Sequence, residues 1–191
     1  MIGEFLKIFI SIFVIMDPFA SLPLFMILTK GKNVKKSALY AIGVASLVLF
    51  TFLFLGEYIF TIFGVKFYSF KVAGGVLLFI LSAETILGIE PVKRKKHGPE
   101  LVLIGTPMLT GPGVMATTVI FSQETGYLVT SLASLAALFL SFLILVLSKE
   151  IARLLGETGV EIASRVIGVL LGAIAIEFIA SGIKEAIVAL G

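Results

Sequence analysis

Cysteine is absent from this 191-residue chain, histidine occurs once, at His97, and aspartate once, at Asp17. The first absence excludes disulfides, thiolate metal sites and thiol redox chemistry. A lone histidine in a basic polar run leaves no serine–histidine hydrolase and no histidine metal site. A lone aspartate leaves no aspartic-protease pair. Charge is also scarce: 14% of residues are charged and 59% are hydrophobic. Mean hydropathy is +1.15. A soluble domain of this length needs a polar exterior that this composition cannot cover, so the chain reads as an integral membrane protein and not as an enzyme. The net charge of +3 is modest and its basic residues sit in loops, so no nucleic-acid partner and no cofactor are expected. Glu4 offsets Lys7 ahead of the first apolar run, which makes a poor cleavable signal and predicts a retained membrane segment.

Six hydrophobic segments are present, at about Phe5–Leu28, Ala38–Gly56 (with an interfacial turn to Phe63), Ser69–Ile89, Leu101–Ser122, Leu128–Ser148 and Val166–Ile183. Each is long enough to cross a bilayer as a helix, and an open sheet would leave edge groups unsatisfied in lipid. The fold class expected is therefore all-α and polytopic, one transmembrane domain over 1–191. Eleven of the fifteen lysines and arginines lie between segments one and two, three and four, or five and six. The positive-inside rule puts those loops in the cytoplasm and both termini outside, in the cytoplasmic (inner) membrane. Lys7, Lys66, Lys71 and Lys184 fall on the other side. The Lys93–Lys96 run reads as a solvated cytoplasmic loop.

The uncharged run from 8 to 29 is broken only by Asp17, and it also carries Pro18 and Pro23. Segment four carries Pro107 and Pro112 at the same spacing of five. Lys71, Gly74, Gly88 and Ile89 match Arg165, Gly168, Gly182 and Ile183 at an offset of 94, and Glu84 corresponds to Glu177 within one residue. Two halves follow: repeat one at 1–92, a linker at 93–99 and repeat two at 100–191. Three spans per half make the second half inverted. Inverted repeats with corresponding interrupted helices point to a transport site near the midplane.

A proline inside a helix removes a hydrogen bond and biases the residue before it away from helical geometry. Asp17-Pro18, Thr106-Pro107 and Gly111-Pro112 read as N-cap and N1 of restarted helices. A restarted helix offers N–H groups to a carboxylate, and the preceding stop offers carbonyls to an ammonium group or cation. The alternative is a pair of ordinary proline kinks. Asp17 reads as a proton or cation site, a contact for a substrate ammonium, or a helix cap. Glu84 and Glu177 are secondary candidates for a pathway or a coupling ion. Ser21, Thr106, Thr110, Thr117 and Thr118 either line a polar path or bond back to helix carbonyls. Gly168 and Gly172 form a GxxxG pattern, whose usual meaning is close helix packing.

Met16-Asp17-Pro18-Phe19-Ala20-Ser21-Leu22-Pro23-Leu24-Phe25 with Thr29-Lys30-Gly31 resembles the first-segment signature of the MarC family. Phe70–Gly75, Thr106–Gly113 and Leu154–Gly159 are similar to its later motifs, in order over nearly the whole chain. The family is also called the small neutral amino acid transporter family and is grouped with LysE-type exporters. The resemblance implies six helices in duplicated three-helix halves, moving glycine, alanine or similar solutes with an ion gradient. Carried over by position, its motif residues are Asp17, Pro18, Pro23, Pro107, Gly111, Pro112 and Gly113. One departure is Ala20-Ser21, where many members have Gly-Asn.

The expectation is two inverted three-helix repeats, with interrupted segments one and four facing each other. A small neutral amino acid would bind with its carboxylate near Thr110–Gly113 or Ser21–Pro23. Its ammonium group, or a coupled sodium ion or proton, would meet Asp17. Ala20, Gly111 and Gly113 would leave room for a small side chain only. The rival reading is an inorganic cation or metal transporter or channel using Asp17, Glu84 and Glu177. An assembly factor without flux is a third, and an oligomer is left open.

Overall fold

The computed structural model describes residues 2–88 and 109–190. Among them the regular elements are all helices: α1 (Ile2–Met16), α2 (Leu22–Leu28), α3 (Val34–Phe63), α4 (Phe67–Leu87), α5 (Pro112–Thr125), α6 (Tyr127–Val146) and α7 (Ser148–Leu190). Four stretches are long and apolar enough to cross a membrane: α3, α4, α6 and Thr158–Ala189 within α7. They correspond to the second, third, fifth and sixth expected segments. The first segment is divided into α1 and α2. Only the later part of the fourth, from Leu109, is described; Thr106, Pro107 and the Lys93–His97 loop lie outside the described residues.

Several boundaries differ from the sequence expectation for physical reasons. Segment two does not stop at Gly56 but continues as one helix to Phe63. Gly56 is buried there because α3 passes Val119 closely, with a Cβ at 56 overlapping the Val119 side chain. The helix ends instead at Gly64, whose φ of 63° lets its N–H reach back to Thr61 O. Segment six is longer than Val166–Ile183 at both ends. Its N-terminal extension carries the i,i+4 pair Glu161–Arg165, which suits a solvated helical face. The actual break upstream is Gly156, with φ 68° and ψ 175°, a conformation that favours glycine.

The core is built from small residues that bring helices close. Ala38, Ala41 and Ala45 are buried on α3, and Ala133, Ser134, Ala137 and Ser141 on α6. Helix α1 packs chiefly on α6, while α5 packs chiefly on α3; α1 also touches α7, and α5 touches α4. The most extensive pairing is α4 with α7. It is antiparallel: Gly75 faces Ala175 and Ile179, Ser82 faces Gly168 and Gly172, and Gly182 faces Tyr68 and Val72. A Cβ on Gly75 would sit 2.8 Å from Ala175 O and 3.0 Å from Ile179 N, so backbone meets backbone. Ser82 Oγ donates to Gly168 O at 2.8 Å. Gly168 and Gly172 thus do what the GxxxG spacing predicts. Large apolar side chains such as Leu47, Phe54, Phe79, Phe139 and Val169 point outward, as a lipid-facing surface requires.

Candidate functional site

Helix α1 stops at the expected place, but not in the expected way. Asp17 adopts φ 35° instead of the extended conformation usual before proline. Its N–H is shared between Phe13 O and Val14 O, each at 3.2 Å. Aspartate is among the few non-glycine residues that tolerate this left-handed region, because its short side chain bonds locally. Here Asp17 Oδ1 accepts from Ala20 N–H at 3.1 Å. The carboxylate therefore caps the turn Pro18–Ser21, as the cap reading requires. The helix does not restart at Pro18; it restarts at Leu22, with Pro23 in its first turn. Ser21 is buried and its hydroxyl lies 3.4 Å from Asp17 O as donor. Asp17 is half-buried, Pro18 is buried, and Ala20 and Pro23 are exposed.

A helix start matches the sequence reading at Gly111-Pro112. Gly111 is an extended N-cap, and Pro112 opens α5. No side chain caps this end. Met115 N–H donates to Gly111 O at 3.2 Å, so the N–H groups of Gly113 and Val114 lie ahead of the helical ladder. Leu109, Thr110, Gly113 and Val114 are all buried. Gly113 has no space for a side chain: a Cβ would lie 3.2 Å from Ile15 Cγ2 and 2.5 Å from Leu78 Cδ2. Ile15 is two residues before Asp17. The end of α1 and the start of α5 are thus in contact inside the bundle.

The remaining candidates separate. Thr118 bonds back to Val114 O at 2.9 Å and Met115 O at 3.0 Å, an ordinary helical habit. Thr117 is fully buried, and its hydroxyl has no partner among the described residues. Glu177 is exposed and lines a cleft of about 720 Å³ between α1, α4, α5 and α7. Glu84 is half-buried on α4 and is not part of that cleft. No three His, Asp or Glu side chains among the described residues gather into a metal-sized cluster.

The cleft contains a group that sequence reasoning missed. Lys71 is only 3% exposed and forms ion pairs with Glu124 of α5 and, at 2.7 Å, with Glu185 of α7. Lys71, placed with the outer-side basic residues by charge counting, shares this cleft with Lys7 and Lys184. A signal for its burial was present. Lys71, Gly74, Gly75, Leu78 and Ser82 form one helical stripe, and all are buried. A lysine on a stripe of small, buried residues demands a carboxylate partner. A second polar tie joins α3 to the α5–α6 corner, where Gln123 Nε2 and Tyr127 OH both donate to Glu57 Oε2 at 3.0 and 2.8 Å.

With the stop of α1 set against the start of α5 in a bundle whose described elements are all helical, comparison with known sequences decides the family. The MarC family profile, described as MarC family integral membrane protein, matches residues 2–187. The chain belongs to the MarC family. Among similar proteins, a UPF0056 membrane protein of Archaeoglobus fulgidus is 34% identical, covering 97% of this chain and 95% of its own length. One from Aquifex aeolicus is 32% identical over 95% and 92%, and one from Methanocaldococcus jannaschii 30% identical over 96% and 97%. No solved structure matches. The MarC chain is thus an integral, multi-pass membrane protein, and its relatives are named as membrane proteins without a reaction or a solute.

Proposed function

We propose that this MarC protein is a secondary transporter of small neutral amino acids such as glycine and alanine, coupled to a sodium or proton gradient. The observation that carries the reading is the contact between the stop of α1 and the start of α5, Gly113 against Ile15, beside the chain's single aspartate. The uncapped start of α5 offers Gly113 and Val114 N–H groups to a substrate carboxylate. Asp17 offers a negative charge to the ammonium group or to the coupling cation. Close packing around Gly113 favours a small substrate side chain. Thr106 and Pro107, which the sequence adds to this site, lie outside the described residues.

The packing pattern supports two inverted three-helix repeats. Exchanging α1 with α5, α3 with α6 and α4 with the last span of α7 maps several contacts onto one another, although the α5–α6 packing has no comparable α1–α3 counterpart. The α1–α6 pairing becomes α5–α3, the α1–α7 contact becomes α5–α4, and the antiparallel α4–α7 and α1–α5 pairs map onto themselves. Alternating access would then come from rocking one repeat against the other in the cytoplasmic membrane, with loops 1–2, 3–4 and 5–6 inside. The grouping of Lys7, Lys71 and Lys184 at one cleft supports their assignment to a common side.

The test is flux. Purified protein in liposomes is expected to exchange labelled alanine or glycine, and an imposed sodium or proton gradient to drive accumulation. No exchange of either solute under any gradient would refute the substrate assignment. The cation-transport alternative calls for several carboxylates along one path, and Glu124 and Glu185 in the cleft are already engaged by Lys71.

A further inference from the structure

Between the cleft and the contact of α1 with the start of α5 stands an aromatic pair. Phe121 of α5 and Phe178 of α7 meet edge to face, with centroids 5.8 Å apart and planes at 75°. Both rings are buried, at 1% and 5% exposure, and both line the cleft. They are its floor. Lys7 Nζ lies over the Phe121 ring, 5.9 Å from its centroid, on the cleft side. One helical turn beneath Phe121 on the same face of α5 is Thr117. Its fully buried hydroxyl has no partner among the described residues, and leaving such a group unbonded in a dry interior is costly. One further turn down is Gly113, in contact with the end of α1.

The same two helices are tied together directly above the aromatic pair. Glu124 follows Phe121 by three residues on α5, and Glu185 follows Phe178 by seven on α7, so each carboxylate lies on its phenylalanine's face of the helix. Lys71, from the other half of the chain, bridges both. The corresponding basic residue at the opposite end of the α4–α7 pair is Arg165. It makes only an exposed bond to Glu161 on its own helix among the described residues. The end of the bundle at the cleft is ionically closed across helices.

We propose that Phe121 and Phe178 form a gate between the cleft and the helix interruptions, held shut by the Lys71 bridge to Glu124 and Glu185. The inference rests on the transport reading and assigns it a pathway entrance and a closing device. When the Lys71 bridge breaks, α5 and α7 lose their common tie and the rings part. A small polar solute in the cleft then gains access to Thr117 and to the start of α5. Thr117 supplies a hydrogen-bonding group on the way, which accounts for a hydroxyl kept where the closed state gives it no partner.

The absence of cysteine makes the test clean. Single-cysteine variants Thr117→Cys and Ala189→Cys of the full chain are reconstituted and exposed to a membrane-impermeant, cationic methanethiosulfonate. Ala189 lines the cleft and is exposed, so it is expected to react readily in every background. Thr117→Cys is expected to react slowly alone and roughly tenfold faster with Phe178→Ala, the shift in opening expected on losing one edge-to-face aromatic pair. Lys71→Gln leaves the aromatic floor intact and is expected to accelerate Thr117→Cys in the same direction, which covers a misfolded Phe178→Ala. Equal Thr117→Cys rates in all three backgrounds, or fast reaction in the unaltered background, would overturn the gate. Labelling needs no transported solute, so this result stands apart from the flux of alanine and glycine.

Discussion

Asp17 carries two separable loads, and substitution can divide them. It holds a left-handed backbone with a side-chain acceptor for Ala20 N–H at 3.1 Å, and it places the chain's only aspartate charge in the first interruption. Asp17→Asn keeps both the tolerance for φ 35° and an oxygen for Ala20, and removes the charge. Asp17→Ala loses the cap, at a cost of about 1 kcal/mol. It also forces an ordinary L-residue into the left-handed region without local hydrogen-bonding compensation, adding about 1 kcal/mol. Asp17→Gly loses the cap but relaxes the backbone, so it falls between the two. At roughly 2–4 °C per kcal/mol for a chain of this size, Asp17→Ala is expected to lower the melting temperature in detergent by about 4–8 °C. Asp17→Asn is expected to stay within about 2 °C of the parent, since its cap survives. The two variants part again in flux: Asp17→Asn is expected to abolish gradient-driven accumulation while retaining exchange. The assay is size-exclusion survival after heating, alongside liposome uptake with sodium and proton gradients imposed one at a time. Equal destabilisation by Asn and Ala would refute the capping account. Unchanged driven uptake in Asp17→Asn would remove the charge from the mechanism.

Two further predictions use the packing and the topology. Gly75→Ala places a methyl 2.8 Å from Ala175 O, and backbone cannot swing aside as a side chain can, so a loss of about 1–3 kcal/mol in thermal stability is expected. Gly43→Ala, with nothing within 4 Å of the added carbon, is the internal control and is expected to gain up to about 1 kcal/mol from helix propensity. For orientation, Lys35→Cys is expected to react with an impermeant thiol reagent only in inverted vesicles, and Lys66→Cys only from the outer face. The reverse pattern would overturn the charge-based assignment.

The architecture was legible wherever it depends on local chemistry. Apolar length located α3, α4, α6 and the last span of α7, because a bilayer rewards about 20 apolar residues irrespective of their neighbours. Proline and glycine located the interruptions: the start at Gly111-Pro112 and the stop after Met16 are where the chain loses backbone donors or gains conformational freedom. Gly168 and Gly172 announced close packing, and Ser82 with Thr85 and Ile86 supplies it. Boundaries failed where packing overrides local preference. Gly56 reads as an ending and is a contact with Val119. The Asp17-Pro18 dipeptide reads as the start of a helix and is a left-handed stop, because the Asp17 carboxylate finds Ala20 within its own turn.

By itself, the amino-acid order determined that this MarC protein lives in lipid, which segments are long enough to cross it, and where its first helix is interrupted. Those properties belong to one stretch of chain and its solvent. Only the tertiary structure decided that the end of α1 touches the start of α5, that Phe121 and Phe178 meet at a cleft they both line, and that Lys71 reaches across to Glu124 and Glu185. These contacts join residues 53 to 114 positions apart in the chain. Lysine, phenylalanine and glutamate carry no local mark of such partners; the partners are selected when antiparallel helices approach at their glycines and bring distant faces together.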